Sequence, residues 1–218
     1  MKKTAFYTLG CKVNQYETEA MAELFADSGY EIKEFTEVAD VYVINTCSVT
    51  NMGDRKSRQI IRRAKKLNPN AVIAVTGCYA QTAPDEVLAI EGVNLVLGTK
   101  DRKNIVTLVE ELNTESNINH VSDIMSNHEF EELQIKQYSN RTRAFIKIQE
   151  GCNQFCSYCI IPYARGPVRS RAKDDVVREI KELAHNGFKE IILVGIHVAS
   201  YGVDLGDTTL CLLYTSDA

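Results

Sequence analysis

The run VYVINT, Val41–Thr46, is dominated by β-branched and aromatic side chains and is followed at once by Cys47. A short run of that kind, without polar alternation, reads as a strand buried on both faces. TAFYTLG (Thr4–Gly10) before Cys11 and AVIAVTG (Ala71–Gly77) before Cys78 repeat the arrangement. Helical patterns separate these strands: Tyr16–Gly29 with a glycine stop, and a basic stretch over Asp54–Leu67. A helix over Ala83–Gly92, a strand over Val93–Gly98 and a helix over Arg102–Leu112 continue the series. Alternating strands and helices of this length predict an α/β fold, a doubly wound parallel sheet over residues 1–112. In such a sheet the carboxyl ends of the strands lie along one edge. Cys11, Cys47 and Cys78 each close a strand and so fall on that edge. Three thiols in equivalent positions favour a shared site over three unrelated buried cysteines.

Residues 113–142 are polar, rich in Asn, Ser and Glu, and read as a linker with some extended structure around Glu132–Tyr138. A second series starts near residue 143. A strand over Ala144–Cys152 runs into GCNQFCSYC (Gly151–Cys159), and a helix over Asp174–Gly187 and a strand over Lys189–Val198 follow. Cys152, Cys156 and Cys159 are spaced C-x3-C-x2-C. A zinc knuckle would need a fourth Cys or His close by. A redox pair would leave Cys152 without a role. Iron–sulfur clusters take thiolates, usually four, and three thiolates leave one iron open for another ligand.

The 218 residues suit one large or two smaller domains, and 44% hydrophobic content supplies a core. No h-region of a signal peptide and no run of about 18 apolar residues is present, which predicts a cytosolic chain without a membrane partner. Seven cysteines in that setting point to metal or catalysis rather than disulfides. A net charge of −4 excludes a uniformly basic surface. Charge is uneven, however: Arg55–Lys66 carries seven basic residues in twelve, and Ala164–Lys173 carries four in ten, neither with an acid.

The motifs together resemble a known family. C-x3-C-x2-C at a strand end is similar to the signature of the radical S-adenosylmethionine (SAM) superfamily. TLGCKVNQYETEA, VINTCSVTNMGDRKSRQ and AVTGCYAQ resemble the N-terminal domain of its methylthiotransferases, and EGCNQFCSYCIIPYARGPVRSR resembles their radical SAM stretch. The resemblance covers residues 3–210. It implies that 143–210 is the start of an incomplete radical SAM domain, a partial TIM-type barrel. It implies two [4Fe–4S] clusters: Cys152, Cys156 and Cys159 would hold the one that binds and cleaves SAM, and Cys11, Cys47 and Cys78 an auxiliary one. Tyr158 and Arg171 would contact SAM, and Arg165 and Arg169 would face cofactor or substrate, unless these arginines simply lie on a solvated loop.

The family splits by substrate. LGCKVNQYE, IIPYARG and VGIHVASYG resemble the branch acting on N6-threonylcarbamoyladenosine beside the tRNA anticodon. The alternatives are isopentenyladenosine in tRNA, an aspartate of a ribosomal protein, or a non-catalytic iron–sulfur module. His197 stands where the isopentenyl branch usually has Asn and is a candidate polar contact or a capping residue. His120 and His128 fall in the linker, and His185 near a helix end. The partners implied are the tRNA anticodon loop and a reducing electron donor, with the protein a monomer. The octapeptide CLLYTSDA (Cys211–Ala218) reads as a non-native tail, because its codons can spell a transposase-type adapter. A barrel cut there would be inactive.

Overall fold

The computed structural model describes residues 1–48, 51–112, 116–133, 135 and 143–215, without the side chains of 51 and 52. The first sheet begins with β1 (Lys3–Thr8), crosses through α1 (Lys12–Asp27) to β2 (Glu31–Lys33), and returns to β3 (Val41–Thr46). Next come α2 (Asn51–Leu67), β4 (Val72–Gly77), α3 (Cys78–Thr82), α4 (Pro84–Leu88) and β5 (Leu95–Leu97). A 3-10 turn at Arg102–Asn104 leads into α5 (Ile105–Glu110), and β6 (Ile118–His120) closes the edge. The strand order is β2-β1-β3-β4-β5-β6, and every pair is parallel.

Both faces of this sheet are covered, as the apolar runs require. Tyr42, Ile44, Ile73 and Val75 meet Ile60, Ile61 and Ala64 of α2 and Val87 of α4. Val41, Val43, Leu95 and Leu97 meet Met21 and Phe25 of α1 and Ile105 and Val109 of α5. The doubly wound architecture is therefore present. Residues 118–120, expected in the linker, instead add a sixth strand. Three residues with exposed side chains give too short a signal to read. Glu132, Leu133 and Ile135 belong to no strand, and the rest of the expected extended stretch lies outside the described residues.

The second sheet is smaller. β7 (Arg143–Glu150) pairs with β8 (Arg169–Ser170) antiparallel and with β9 (Glu190–Gly195) parallel. α6 (Ile161–Arg165) lies between β7 and β8, and α7 (Lys173–His185) crosses to β9. Ala144, Ile146 and Ile148 pack on Val176 and Leu183 of α7. A 3-10 turn at Val198–Ser200 follows, and α8 (Leu210–Tyr214) ends the described chain. The expected boundary at 210/211 thus falls inside a helix. Thr209 caps it by accepting from the Leu212 amide, and Leu210 and Leu213, three apart, face the β7–α7 core. Among the described residues, no helix is long and apolar enough to cross a membrane.

The two sheets meet across α1, which is buried on more than one side. Val13 packs with Phe145 and Val194, while Tyr16 and Ala20 pack with Leu133 and Ile135. α3 packs on α6.

Candidate active site

The strand order 2-1-3 places a topological switch point between β1 and β3, where ligands of open parallel sheets bind beyond the carboxyl ends. Cys11 follows β1 and is the N-cap of α1, and Cys47 follows β3, so the two flank that crevice. Cys78 follows β4 and opens α3. Pairing of Thr8 with Asn45 and of Thr46 with Gly77 brings the three strand ends level. A Cβ on Gly10 would fall 3.0 Å from Cys47 Sγ, which shows how closely the first two loops approach. Asn14 fixes both loops: its amide donates to the carbonyls of Leu9 (2.7 Å) and Thr46 (2.9 Å). Cys11 is exposed, Cys47 half-buried and Cys78 buried. The site is therefore open on the Cys11 side, where Thr8, Lys12, Gln15 and Glu19 line a pocket.

Cys152, Cys156 and Cys159 lie on the loop after β7, with Cys156 exposed and the other two half-buried. Gly151 makes the turn out of the strand at φ +76°, and a Cβ there would sit 1.8 Å from the Pro167 carbonyl oxygen. Only glycine fits that approach. The Cys152 amide donates to Gly166 O (3.0 Å) and the Cys159 amide to Cys156 O (2.9 Å). Tyr158 projects into solvent at 90% exposure, and Phe155 and Tyr163 of the same segment stack edge to face.

Between the two triplets lies a layer of buried charge. Glu17 of α1 accepts from Lys147 of β7 (3.2 Å) and from Arg165 of α6 (2.5 and 3.0 Å), and pairs with Arg102 (2.5 Å). Glu150 of β7 is paired with Lys147 (3.2 Å), Arg165 (2.6 Å), Arg102 (3.4 Å) and Arg169 (3.6 Å). Glu131 holds the Arg102 Nε at 2.9 Å. Burial opposes the charge on Glu17 and Glu150, but the surrounding cations outweigh it and hold both pKa values below the usual carboxylate range.

Four cations in this layer (Arg102, Lys147, Arg165, Arg169) face three carboxylates (Glu17, Glu131, Glu150), so one positive charge is in excess among the described residues. Arg165 Nε lies 3.4 Å from Cys78 Sγ. Burial pushes the Cys78 thiol up, and Arg165 pulls it back toward ionisation. A thiolate at Cys78 would balance the excess, which fits a cysteine that ligates iron.

The arginines of Ala164–Lys173 depart from the sequence reading. They neither sit on a solvated loop nor present a free cofactor face. Arg165, Arg169 and Arg171 are at most 1% exposed. Arg171, expected to contact SAM, donates to Glu132 (2.8 Å) and Glu179, tying the strand to α7. Lys147 and Glu150 escaped the sequence reading. Their signal was there: two charged residues inside AFIKIQE, a strand that is otherwise apolar but for Gln149. His197 precedes the Val198–Ser200 turn, and its Nδ1 meets Ser200 Oγ at 2.5 Å, a local contact between side chains that does not cap the turn. His185 ends α7, while His120 and His128 are exposed. Among the described residues, no three or more His, Cys, Asp or Glu side chains converge on one metal ion. A multi-iron cluster lies between its thiolates and asks for a wider spacing than one ion does.

Comparison with known proteins agrees with these features. Residues 3–98 match the family described as "Uncharacterized protein family UPF0004", and residues 146–211 match the radical SAM superfamily. The threonylcarbamoyladenosine tRNA methylthiotransferase MtaB of Bacillus subtilis is 54% identical over 95% of this chain and 46% of its own length. The protein of that name from Aquifex aeolicus is 44% identical over 97% of this chain and 52% of its own. The chain spans about half the length of the curated relatives it matches. The radical SAM methyltransferase TsrM of Kitasatospora setae, solved with tryptophan and a SAM analogue, shares the fold with a TM-score of 0.60 at 15% identity, over 94% of this chain and 49% of that one.

Proposed function

Given that the chain belongs to the radical SAM methylthiotransferase family, we propose that the protein attaches a methylthio group to C2 of N6-threonylcarbamoyladenosine beside the anticodon of a tRNA. The observation that carries the proposal is the pair of cysteine triplets, each beyond the carboxyl end of parallel strands and joined through one buried charged layer. A radical SAM domain takes an iron–sulfur cluster and SAM. In this reading Cys152, Cys156 and Cys159 hold that cluster, Tyr158 lies beside SAM, and Cys11, Cys47 and Cys78 hold a second one. When bound, these groups supply the radical, the sulfur and the methyl group.

The chain's own residues supply placement. Residues 1–120 present the auxiliary triplet, and residues 143–215 begin the SAM-binding unit. The buried charges join α1, Arg102, β7 and α6 between the two triplets. RNA binding is supported by α2, whose exposed positions Arg55, Lys56, Arg62, Arg63 and Lys66 form one basic stripe on the helix that follows Cys47. An unstacked loop base is a feature that proteins read well in RNA. A cytoplasmic monomer served by a separate electron donor completes the proposal.

The test is a gene deletion followed by mass spectrometry of tRNA nucleosides. Loss of 2-methylthio-N6-threonylcarbamoyladenosine alone is the expected result. Loss of the isopentenyladenosine product or of the ribosomal aspartate modification instead would overturn the assignment. Anaerobic reconstitution of the chain should give about eight irons, two four-iron clusters. Replacing Cys11, Cys47 and Cys78 with Ala should remove half of them.

A further inference from the structure

Arg165 stands apart from the other buried cations. Among the described residues it is the one arginine or lysine that donates to a cysteine sulfur. Its Nη1 is shared between Glu17 and Glu150, and its Nη2 between Asn14 and Glu17. Asn14 in turn holds the Leu9 and Thr46 carbonyls that precede Cys11 and Cys47. The guanidinium is thus fixed against the first cysteine triplet by side chains of α1 and β7.

The same segment reaches the second triplet. Gly166, the next residue, accepts from the Cys152 amide at 3.0 Å. α6 is itself pinned to the first sheet, because Thr99 Oγ1 donates to Ala164 O at 2.7 Å. A path of two consecutive residues therefore runs from the Cys78 sulfur to the Cys152 backbone. Fork-shaped guanidinium groups suit such multiple, directed contacts, and an ammonium does not reproduce them.

We propose that Arg165 is a positioning residue for the auxiliary cysteine triplet: it lends Cys78 an N–H···S hydrogen bond from the radical SAM half and ties the placement of that triplet to Cys152. The inference rests on the proposed role of Cys11, Cys47 and Cys78 as iron ligands. Hydrogen bonds to cluster sulfurs and nearby charge set reduction potential. Reduction adds negative charge to a cluster, so a donor and a cation beside Cys78 favour the reduced form.

The experiment uses the whole chain carrying Cys152→Ala, Cys156→Ala and Cys159→Ala, reconstituted anaerobically with iron and sulfide, so that only the auxiliary triplet can hold iron. With 15N-labelled arginine, pulsed electron paramagnetic resonance of the reduced cluster should show coupling to an arginine nitrogen. That measurement leaves Arg165 itself intact. Next, Arg165→Lys and Arg165→Gln should lower the reduced fraction at fixed potential about tenfold, about 59 mV for one electron. Lys147→Met is the control, since it removes one cation of the same layer without touching Cys78; it should shift the potential much less than Arg165→Gln does. Iron bound without arginine coupling, or an equal shift in Lys147→Met, would overturn the inference alone. Absence of iron from this chain would overturn the ligand assignment and the inference with it.

Discussion

Glu17→Gln isolates the charge that holds the two sheets together. The amide has the same shape as the carboxylate, so packing is kept, while the charge is lost and one acceptor becomes a donor that faces cationic N–H groups. Glu17 faces Arg102, Lys147 and Arg165 at 2.5 to 3.2 Å, with its side chain 0% exposed. Removing it leaves two carboxylates against four cations. Breaking a buried pair from one side costs about 3–5 kcal/mol, because the partners stay buried without compensation. For a chain of this length that lowers Tm by roughly 6–20 °C. Glu190→Gln is the contrast. Glu190 meets Arg143 at 2.7 Å, but both side chains are about half exposed, and such pairs contribute about 0–1 kcal/mol. Urea unfolding of the apo chain, followed by circular dichroism, separates the two. The pH arm has a definite sign. Glu17 and Glu150 titrate below the ordinary 4.5 in the folded chain. Their stabilisation is fully present above that value and is lost as pH falls through the lower folded values, because the unfolded chain takes up protons first. The Gln variant should lose less stability than the parent on acidification. If Glu17→Gln unfolds at the same urea concentration as Glu190→Gln, the buried layer does not hold the sheets together.

Three further outcomes follow from other parts of the molecule. Gly151→Ala drives a Cβ to 1.8 Å from Pro167 O at φ +76°, whereas Gly187→Ala at φ +93° meets nothing within 4 Å. The first should cost the radical SAM triplet its iron, and the second only about 1–2 kcal/mol of backbone strain; equal iron in both would refute the steric reading. Replacing Arg55, Arg62 and Lys66 with Ala should reduce the slope of log affinity for a tRNA anticodon stem-loop against log salt by about 2–3; an unchanged slope would remove α2 from the RNA surface. Burial, with Asp204 nearby, pushes the Tyr201 hydroxyl up to about 12 from 10.0. Its stabilisation is complete below the unfolded value and fades as pH rises from about 10 to about 12. Tyr201→Phe should start about 1 kcal/mol less stable, having lost the bond to Arg171 O, and then decline less than the parent across that window in urea titrations.

The cysteine edges were legible because each rests on a short-range rule with a global consequence. An unbroken apolar run such as VYVINT must be covered on both faces, and parallel strands must end together. Cys47 therefore lands beside Cys11 although 36 residues separate their numbers. α3 and β8 were missed for the opposite reason. Five residues of CYAQT and two of β8 are ordered by what they pack on, α6 and β7, and carry almost no local pattern. α1 starts at Lys12, four residues before the apolar stripe suggested, because Cys11 serves as its N-cap without a side-chain bond to mark the start.

The arginines mark the deeper limit of reading along the chain. RGPVRSR looks like a solvated loop because charge is normally left in water, and burying it without partners is prohibitive. The partners of Arg165 are Glu17 and Glu150, 148 and 15 residues away, and those of Arg171 are Glu132 and Glu179. No local pattern announces such pairings. The pointers lay on the other side of each bond: a glutamate on the stripe of α1 that also carries Tyr16, Ala20 and Met21, and a lysine and a glutamate within β7. The apolar contacts of Val13, Tyr16 and Ala20 across the same joint bury surface, and the charges add direction to it. In this molecule those directed contacts carry Cys78 and Cys152 to opposite ends of Arg165–Gly166.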